Sequence, residues 1–272
     1  MIIVHQPVAS LPMYDWPEIS HDYDALWAAL SSYLCDHGIA APDHLSRSST
    51  DGNFWLHPNL LVGQTCGFPL WSRLRGQVSV LGTPHYAVEG CSGFGYSSAV
   101  LARADTQWTD LSQFRKVLIA VNEVGSLSGH LAMRAVLGGL PKGYLKITGV
   151  QRSGAHKRSM QMVADGMADL CAIDAVCWQM AQDFLPHTAK KLKVVGWSPQ
   201  MPGLPWITAQ RSEKELQTLR LTLKSFFSES TYKSVYKVLK ISGFSETTVD
   251  DYSTVGALAD GESHPLFAPL LC

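Results

Sequence analysis

Three short segments place hydroxyl, imidazole or carboxylate groups where an apolar strand pattern gives way to a helical one. Ser126-Leu127-Ser128-Gly129-His130 follows the nearly unbroken apolar run Val117 to Val121 and opens a helix. The first N–H groups of a helix have no acceptor within it, and the helix dipole puts partial positive charge at that end. Two hydroxyls beside such a start, with the Gly129 backbone, make a site for an oxyanion. Ser126 reads equally well as an ordinary N-cap, and both readings stay open. Ser153-Gly154-Ala155-His156 repeats the arrangement after a second strand. A histidine cation in a first helical turn opposes the dipole unless an anion lies in front of it; the alternative is a solvated side chain. Asp174, in Ile173-Asp174-Ala175, is either the N-cap of the next helix or an acceptor for a ligand hydroxyl or amine.

The first half adds Tyr14 and Trp16, in a loop bounded by prolines, and Gln64-Thr65-Cys66-Gly67, at a strand-to-helix turn. The two aromatics are core pegs or ligand contacts. Cys66 ahead of a helix start has a route to a lowered thiol pKa. It forms, with His130 and His156, the Cys/His set from which catalysis would have to be built, although no nucleophile signature surrounds it. There is no GxxxxGK[ST] pattern, so a nucleotide P-loop is excluded. Six cysteines (Cys35, Cys66, Cys91, Cys171, Cys177, Cys272) show neither CxxC nor Cys/His ligand spacing. No metal and no cofactor is expected, and the thiols are expected to be reduced and buried or half-buried.

Positioning such groups takes a full core. The chain has 272 residues, enough for two domains or one large α/β domain. Lys and Arg number 22 against 23 Asp and Glu, a formal net charge of -1. Phosphate neutralisation needs a clustered basic excess, and the longest basic runs are the pairs Lys157-Arg158 and Lys190-Lys191, so no nucleic-acid partner is expected. A hydrophobic fraction of 46% with 17% charged residues is globular. No apolar run approaches the roughly 18 residues that span a bilayer, so no direct membrane insertion is expected. The residues after Met1 lack the basic start, apolar stretch and small-residue cleavage site of a signal peptide. As written, the sequence predicts a cytoplasmic protein, or a periplasmic one if a leader has been removed.

The elements alternate. Strands are predicted at Ile2–His5, Leu60–Gly63, Val78–Leu81, Ser98–Ala102, Lys116–Val121, Leu145–Val150, Leu170–Ile173 and Leu192–Trp197, and Pro199 to Pro205 breaks regular structure before Trp206-Ile207-Thr208. Helices are predicted at Tyr23–Leu34, stopped by Gly38, and at His130–Leu137, His156–Asp165 and Ala175–Phe184. Asp110–Phe114 reads as a short helical turn. The last 60 residues read as helical, at Glu213–Ser228 and Thr231–Leu239, with Gly243 closing; Gly256 to Cys272 reads as a surface-draped tail. Strands alternating with helices of these lengths imply βαβ units and mixed or parallel sheets.

Taken in order, these loops resemble the phosphonate/phosphate solute-binding proteins of ABC transporters, which have the type II periplasmic-binding fold. The likeness is carried by Gln64-Thr65-Cys66-Gly67-Phe68-Pro69, Gly125-Ser126-Leu127-Ser128-Gly129, Ser153-Gly154-Ala155-His156 with Val163 to Asp169, Ala172-Ile173-Asp174, and Pro202-Gly203-Leu204-Pro205. It covers roughly residues 1 to 252. The resemblance implies two α/β lobes, each a mixed sheet flanked by helices, joined by two crossing strands, with ligand in the cleft. Lobe one is expected at 1–90 plus 200–272 and lobe two at 91–199. By position, Ser126 and Ser128 match the family's phosphoryl-binding hydroxyls, His156 its anion-facing histidine, Asp174 its cleft carboxylate and Tyr14 its lobe-one aromatic. Gln64 and Thr65 are implied across the cleft. Leu127 departs from the pattern in being apolar between the two serines. The implied function is non-catalytic binding of a small phosphoryl-type oxyanion, with ABC-transporter membrane subunits as partners. Two alternatives are kept: an enzyme on the same frame, resembling thiamine-pyrimidine-precursor synthesis, and a cytosolic ligand sensor.

Overall fold

Helix Ser20–Asp36 buries Tyr23, Leu26, Trp27, Leu30, Tyr33 and Leu34, one stripe at helical spacing. It is longer than the apolar pattern because a 3-10 turn over Pro17–Ile19 leads into it. At its end Gly38 takes a φ of +76°, the left-handed conformation that glycine adopts without a Cβ penalty. The computed structural model describes residues 6–48, 53–141 and 144–261. The expected strand Ile2–His5 lies outside these, and the first described strand is Val8–Ser10.

Two compact units are formed, one from Met1–Ala87, Ser92–Phe94 and Pro202–Ser253, the other from Val88–Cys91, Gly95–Met201 and Thr254–Cys272. The predicted boundaries placed everything after residue 200 in the first lobe. The contacts instead group the described residues from Thr254 onward with the second unit, where the Arg134 guanidinium donates to the Gly261 carbonyl at 2.7 Å.

In the first unit five strands stand in the order Val8–Ser10, Leu60–Gln64, Trp206–Ala209, Val78–Tyr86, Ile241–Ser245. The first two pair in parallel and the remaining contacts are antiparallel. Helix Glu213–Ser228 starts at a capping box in which Ser212 and Glu215 satisfy each other's backbone N–H. Its buried face carries Phe226 and Phe227; Phe227 stacks on Phe244 at 5.2 Å and meets Trp206 edge-on at 5.5 Å.

One expectation is corrected here. The segment after Leu239 is not helical: Ile241–Ser245 is a strand, and Gly243 lies within it opposite His85 instead of closing a helix. Lys240 at φ 61° breaks the helical path, and the strand gains its reason from an open sheet edge that no local pattern reveals. Likewise the tail begins with a helix, Ser253–Asp260.

The second unit holds a sheet in the order Leu192–Trp197, Ser98–Arg103, Leu170–Asp174, Lys116–Val121, Lys146–Arg152. Leu170–Asp174 is buried throughout and Lys116–Val121 nearly so, which is why both read as continuous apolar runs. These two strands run parallel to each other, and Lys116–Val121 also runs parallel to Lys146–Arg152. A helical segment follows each: a π turn Leu127–Leu131 continuing as Ala132–Gly138, then His156–Ala164, then Ala175–Phe184. A third, small sheet pairs Met201–Pro202, Gly95–Tyr96 and Cys91–Ser92 in that order.

Candidate functional site

Because Lys116–Val121, Lys146–Arg152 and Leu170–Asp174 are parallel neighbours, their carboxyl ends share one edge of the sheet, where ligands of α/β proteins bind. Val121 stands level with Arg152, so the loops beyond them touch: the Ser153 N–H donates to the Val121 carbonyl at 2.8 Å, and the Gly154 N–H to the Asn122 carbonyl at 2.7 Å. Two helix starts are thereby brought side by side.

At the first start Ser126 is the N-cap, its Oγ accepting the Gly129 N–H at 3.1 Å. Helix geometry leaves the N–H groups of Leu127 and Ser128 without a carbonyl in their own helix. Ser128 Oγ lies 3.4 Å from Ser126 Oγ and 2.8 Å from His156 Nε2. His156 opens the second helix, whose N-cap residue, Ala155, contributes no side-chain bond. Ser126, Ser128 and His156 therefore form one cluster, with the Gly129 N–H bound into it.

Burial drives the His156 pKa down to about 4, so the imidazole is neutral at pH 7. Its Nδ1 is buried with no hydrogen-bond partner among the described residues. One turn into the first helix, His130 is likewise lowered to about 4, by burial first and the Arg134 charge second. The cation at the end of Lys146–Arg152 is already committed: Arg152 Nε lies 3.1 Å from Glu123 Oε2.

Asp174 serves as the N-cap of Ala175–Phe184, Oδ1 accepting the N–H groups of Val176 at 2.8 Å and Cys177 at 3.2 Å. Its charge also reaches two thiols. Burial and then Asp174 push Cys91 up to about 12, and the same two causes, in that order, raise Cys177. Lys157 opposes the rise at Cys177, which places an ammonium near the same helix start. Among the thiols described, Cys66, Cys171 and Cys177 are buried and Cys91 is half-buried, whereas Cys35 is exposed, contrary to expectation.

Two residues here escaped the sequence reading. Asn122 packs its Oδ1 against Gly129 so closely that a Cβ there would collide with the amide, which would have to move aside. Asn122 Oδ1 is buried without a hydrogen-bond partner among the described residues. Its signal was an amide directly after an apolar strand. Lys157 was read only as half of a basic pair.

The remaining predicted residues belong to the first unit. Tyr14 is buried and meets Tyr86 edge-on at 5.3 Å. Trp16 is buried too. The Thr65 N–H donates to the Pro205 carbonyl at 3.1 Å and its Oγ1 to the Cys66 carbonyl at 3.4 Å. Gln64 ends its strand, its backbone carbonyl accepting the Trp55 Nε1–H at 2.9 Å. The catalytic set weighed above divides, with Cys66 in one unit and His130 and His156 in the other. Two surface cavities, of about 410 and 200 Å³, are lined around Trp55 and Trp108 and contain none of the predicted site residues. Their mouths are open, and the converging hydrogen-bonding groups at Ser128 are the better guide to chemistry. Among the described residues no three His, Cys, Asp or Glu side chains group as metal ligands, and no helix is long and apolar enough to cross a membrane.

Over residues 70–252 the sequence matches the family described as ABC transporter, phosphonate, periplasmic substrate-binding protein. Comparison with curated proteins finds no significant match. Among solved structures the chain is similar to PhnD1 of Prochlorococcus marinus in complex with methylphosphonate, at 12% identity and a TM-score of 0.70, covering 93% of this chain and 96% of that one. It is similar to a binding-protein component of an ABC phosphonate transporter from Pseudomonas aeruginosa (16%, TM-score 0.66, 94% and 86% covered). It is also similar to a Xanthomonas citri protein bound to ATP (16%, TM-score 0.65, 93% and 98% covered). At these identities the likeness establishes a shared fold, the two-lobed fold of periplasmic binding proteins.

Proposed function

The chain belongs to the phosphonate periplasmic substrate-binding family of ABC transporters, and from that premise we propose that it binds a small phosphoryl-type oxyanion at Ser126, Ser128, Gly129 and His156 without turning it over. The observation that carries this reading is the 2.8 Å contact between Ser128 Oγ and His156 Nε2 where two helix starts meet. There the first-turn N–H groups, two hydroxyls and an imidazole offer donors to an anion's oxygens. Charge-assisted hydrogen bonds contribute about 1.5–3 kcal/mol each, so a few suffice for the roughly 8 kcal/mol of micromolar binding. Two of the similar structures hold phosphoryl compounds, methylphosphonate and ATP, which supports the ligand class.

Ser128 and His156 also have the spacing of a nucleophile and its base. Binding is favoured over catalysis because, among the described residues, Nδ1 has no hydrogen-bond acceptor to orient the ring, and a base held near 4 is a weak proton acceptor at neutral pH. Delivery of the ligand to transporter membrane subunits, in the periplasm, follows from family membership as part of the same proposal; ligand-dependent co-purification with those subunits tests it.

Phosphate, phosphite, methylphosphonate and aminoethylphosphonate form the test panel. A true ligand at a hundred times its Kd adds about 2.7 kcal/mol, which raises the melting temperature by about 5–10 °C in a chain of this size. Ser128→Ala reduces that shift. No shift with any of the four compounds overturns the assignment.

A further inference from the structure

Asn122 follows the strand Lys116–Val121 and, with Ser126, Ser128, Gly129 and His156, lies wholly within the second unit. Its main chain ties the loop that leads to His156, the Asn122 carbonyl accepting the Gly154 N–H at 2.7 Å. Its side chain rests on the other helix start. A Cβ built on Gly129 would come within 1.9 Å of Oδ1 and 2.8 Å of Cγ, so the carboxamide oxygen lies along the direction of a Gly129 Cα–H bond. That is a Cα–H···O arrangement, in which the oxygen has to be the inner end of the amide. The Gly129 N–H does not serve this oxygen, because it is bonded to Ser126 Oγ. Oδ1 is sealed from water with no hydrogen-bond partner among the described residues. Nδ2 has none among them either, yet it is not sealed: only the oxygen end of the amide is buried. Asn122, Ser153 and His156 are half-buried, and Gly154 and Ala155 are exposed, so solvent reaches this edge of the sheet. A carboxamide N–H2 group is thereby left unbonded and accessible beside two helix starts.

We propose that Asn122 is a further binding residue of the oxyanion site, its Nδ2–H2 group donating to a ligand oxygen while Oδ1 braces Gly129. This rests on the function proposed above and adds a specificity to it. The donor carries no charge and does not titrate, so it is offered at every pH. With its acceptor end turned inward, the amide accepts a ligand group that brings oxygen lone pairs and rejects one that is itself a donor, such as an ammonium. A carboxylate of the same shape would still brace Gly129 but would offer the ligand acceptors only. Asparagine and aspartate therefore separate the donor role from the packing role.

The experiment measures methylphosphonate binding by calorimetry at pH 7 and pH 5 in wild type, Asn122→Asp and Asn122→Leu, with thermal unfolding of each unliganded protein. Leucine keeps the bulk and removes both polar atoms. At pH 7 both variants are expected to bind roughly tenfold more weakly than wild type, the loss of one charge-assisted hydrogen bond. Towards pH 5 the gap between Asn122→Asp and wild type narrows, because a carboxyl beside a bound anion takes up a proton that it can then donate. Asn122→Leu stays weak relative to wild type at both pH values. If Asn122→Asp matches wild type at pH 7, the side chain only packs against Gly129 and the proposal is overturned. It is equally overturned if Asn122→Leu folds and binds as wild type does. If wild type itself binds none of the phosphoryl panel, the anion-binding reading fails, and the inference with it. If wild type binds and the variants match it, that reading stands and the inference about Asn122 alone is lost.

Discussion

Ser128 and His156 are 28 positions apart in sequence and 2.8 Å apart in space, and the imidazole between them and the interior is neutral. An oxyanion arriving there brings negative charge to a ring that burial has stripped of its proton, and a nearby negative charge favours the imidazolium. Binding of methylphosphonate at pH 6 is therefore expected to take up protons. The measured enthalpy then varies with the ionisation enthalpy of the buffer in wild type and ceases to vary in His156→Asn. Gly129 makes a separate claim: Gly129→Ala puts a methyl into the space of Asn122 Oδ1, at an expected cost of about 1–3 kcal/mol and with loss of ligand binding. The double variant Asn122→Ala with Gly129→Ala recovers most of the stability in denaturant titration, because the clash is with that one side chain. Asn122 alone could not be suspected of this from sequence, since the contact crosses a turn that folding closes.

Strands buried on both faces carry uninterrupted apolar residues, and helix Glu213–Ser228 carries its own capping box, so these elements were legible locally. The strand Ile241–Ser245 was not, because five residues beside a helical pattern supply no period of their own; its partner Val78–Tyr86 lies more than 150 positions earlier. Asp174 at the start of Ala175–Phe184 is where cap and ligand readings can be separated. Asp174→Asn keeps an oxygen for the Val176 and Cys177 N–H groups, and its melting temperature is expected within about 1–2 °C of wild type. Asp174→Ala loses the cap, roughly 1 kcal/mol. If both variants keep the wild-type ligand profile, Asp174 is a cap and nothing more.

Two histidines give the molecule a pH signature. His130 and His156 titrate near 4 when folded, against about 6.5 in an unfolded chain. Between those values the unfolded state binds more protons, so stability falls as pH drops from about 6.5 towards 4 and is insensitive to these groups above that window. Melting temperatures of the unliganded protein from pH 7 to 4 check this, and a flat profile would show that neither ring is held neutral. At this scale the sequence by itself determined the α/β class, the parallel strands and the loops that carry hydroxyls and imidazole, because helix starts and doubly buried strands are written in neighbouring residues. Only the tertiary structure decided that Ser128 faces His156, that Asn122 rests on Gly129, that the buried Gln64 side chain has no hydrogen-bond partner among the described residues, and that Ile241–Ser245 pairs with Val78–Tyr86. Those are contacts between segments far apart in the chain, and they are set by which surfaces close against one another when the core forms, which no run of adjacent residues encodes.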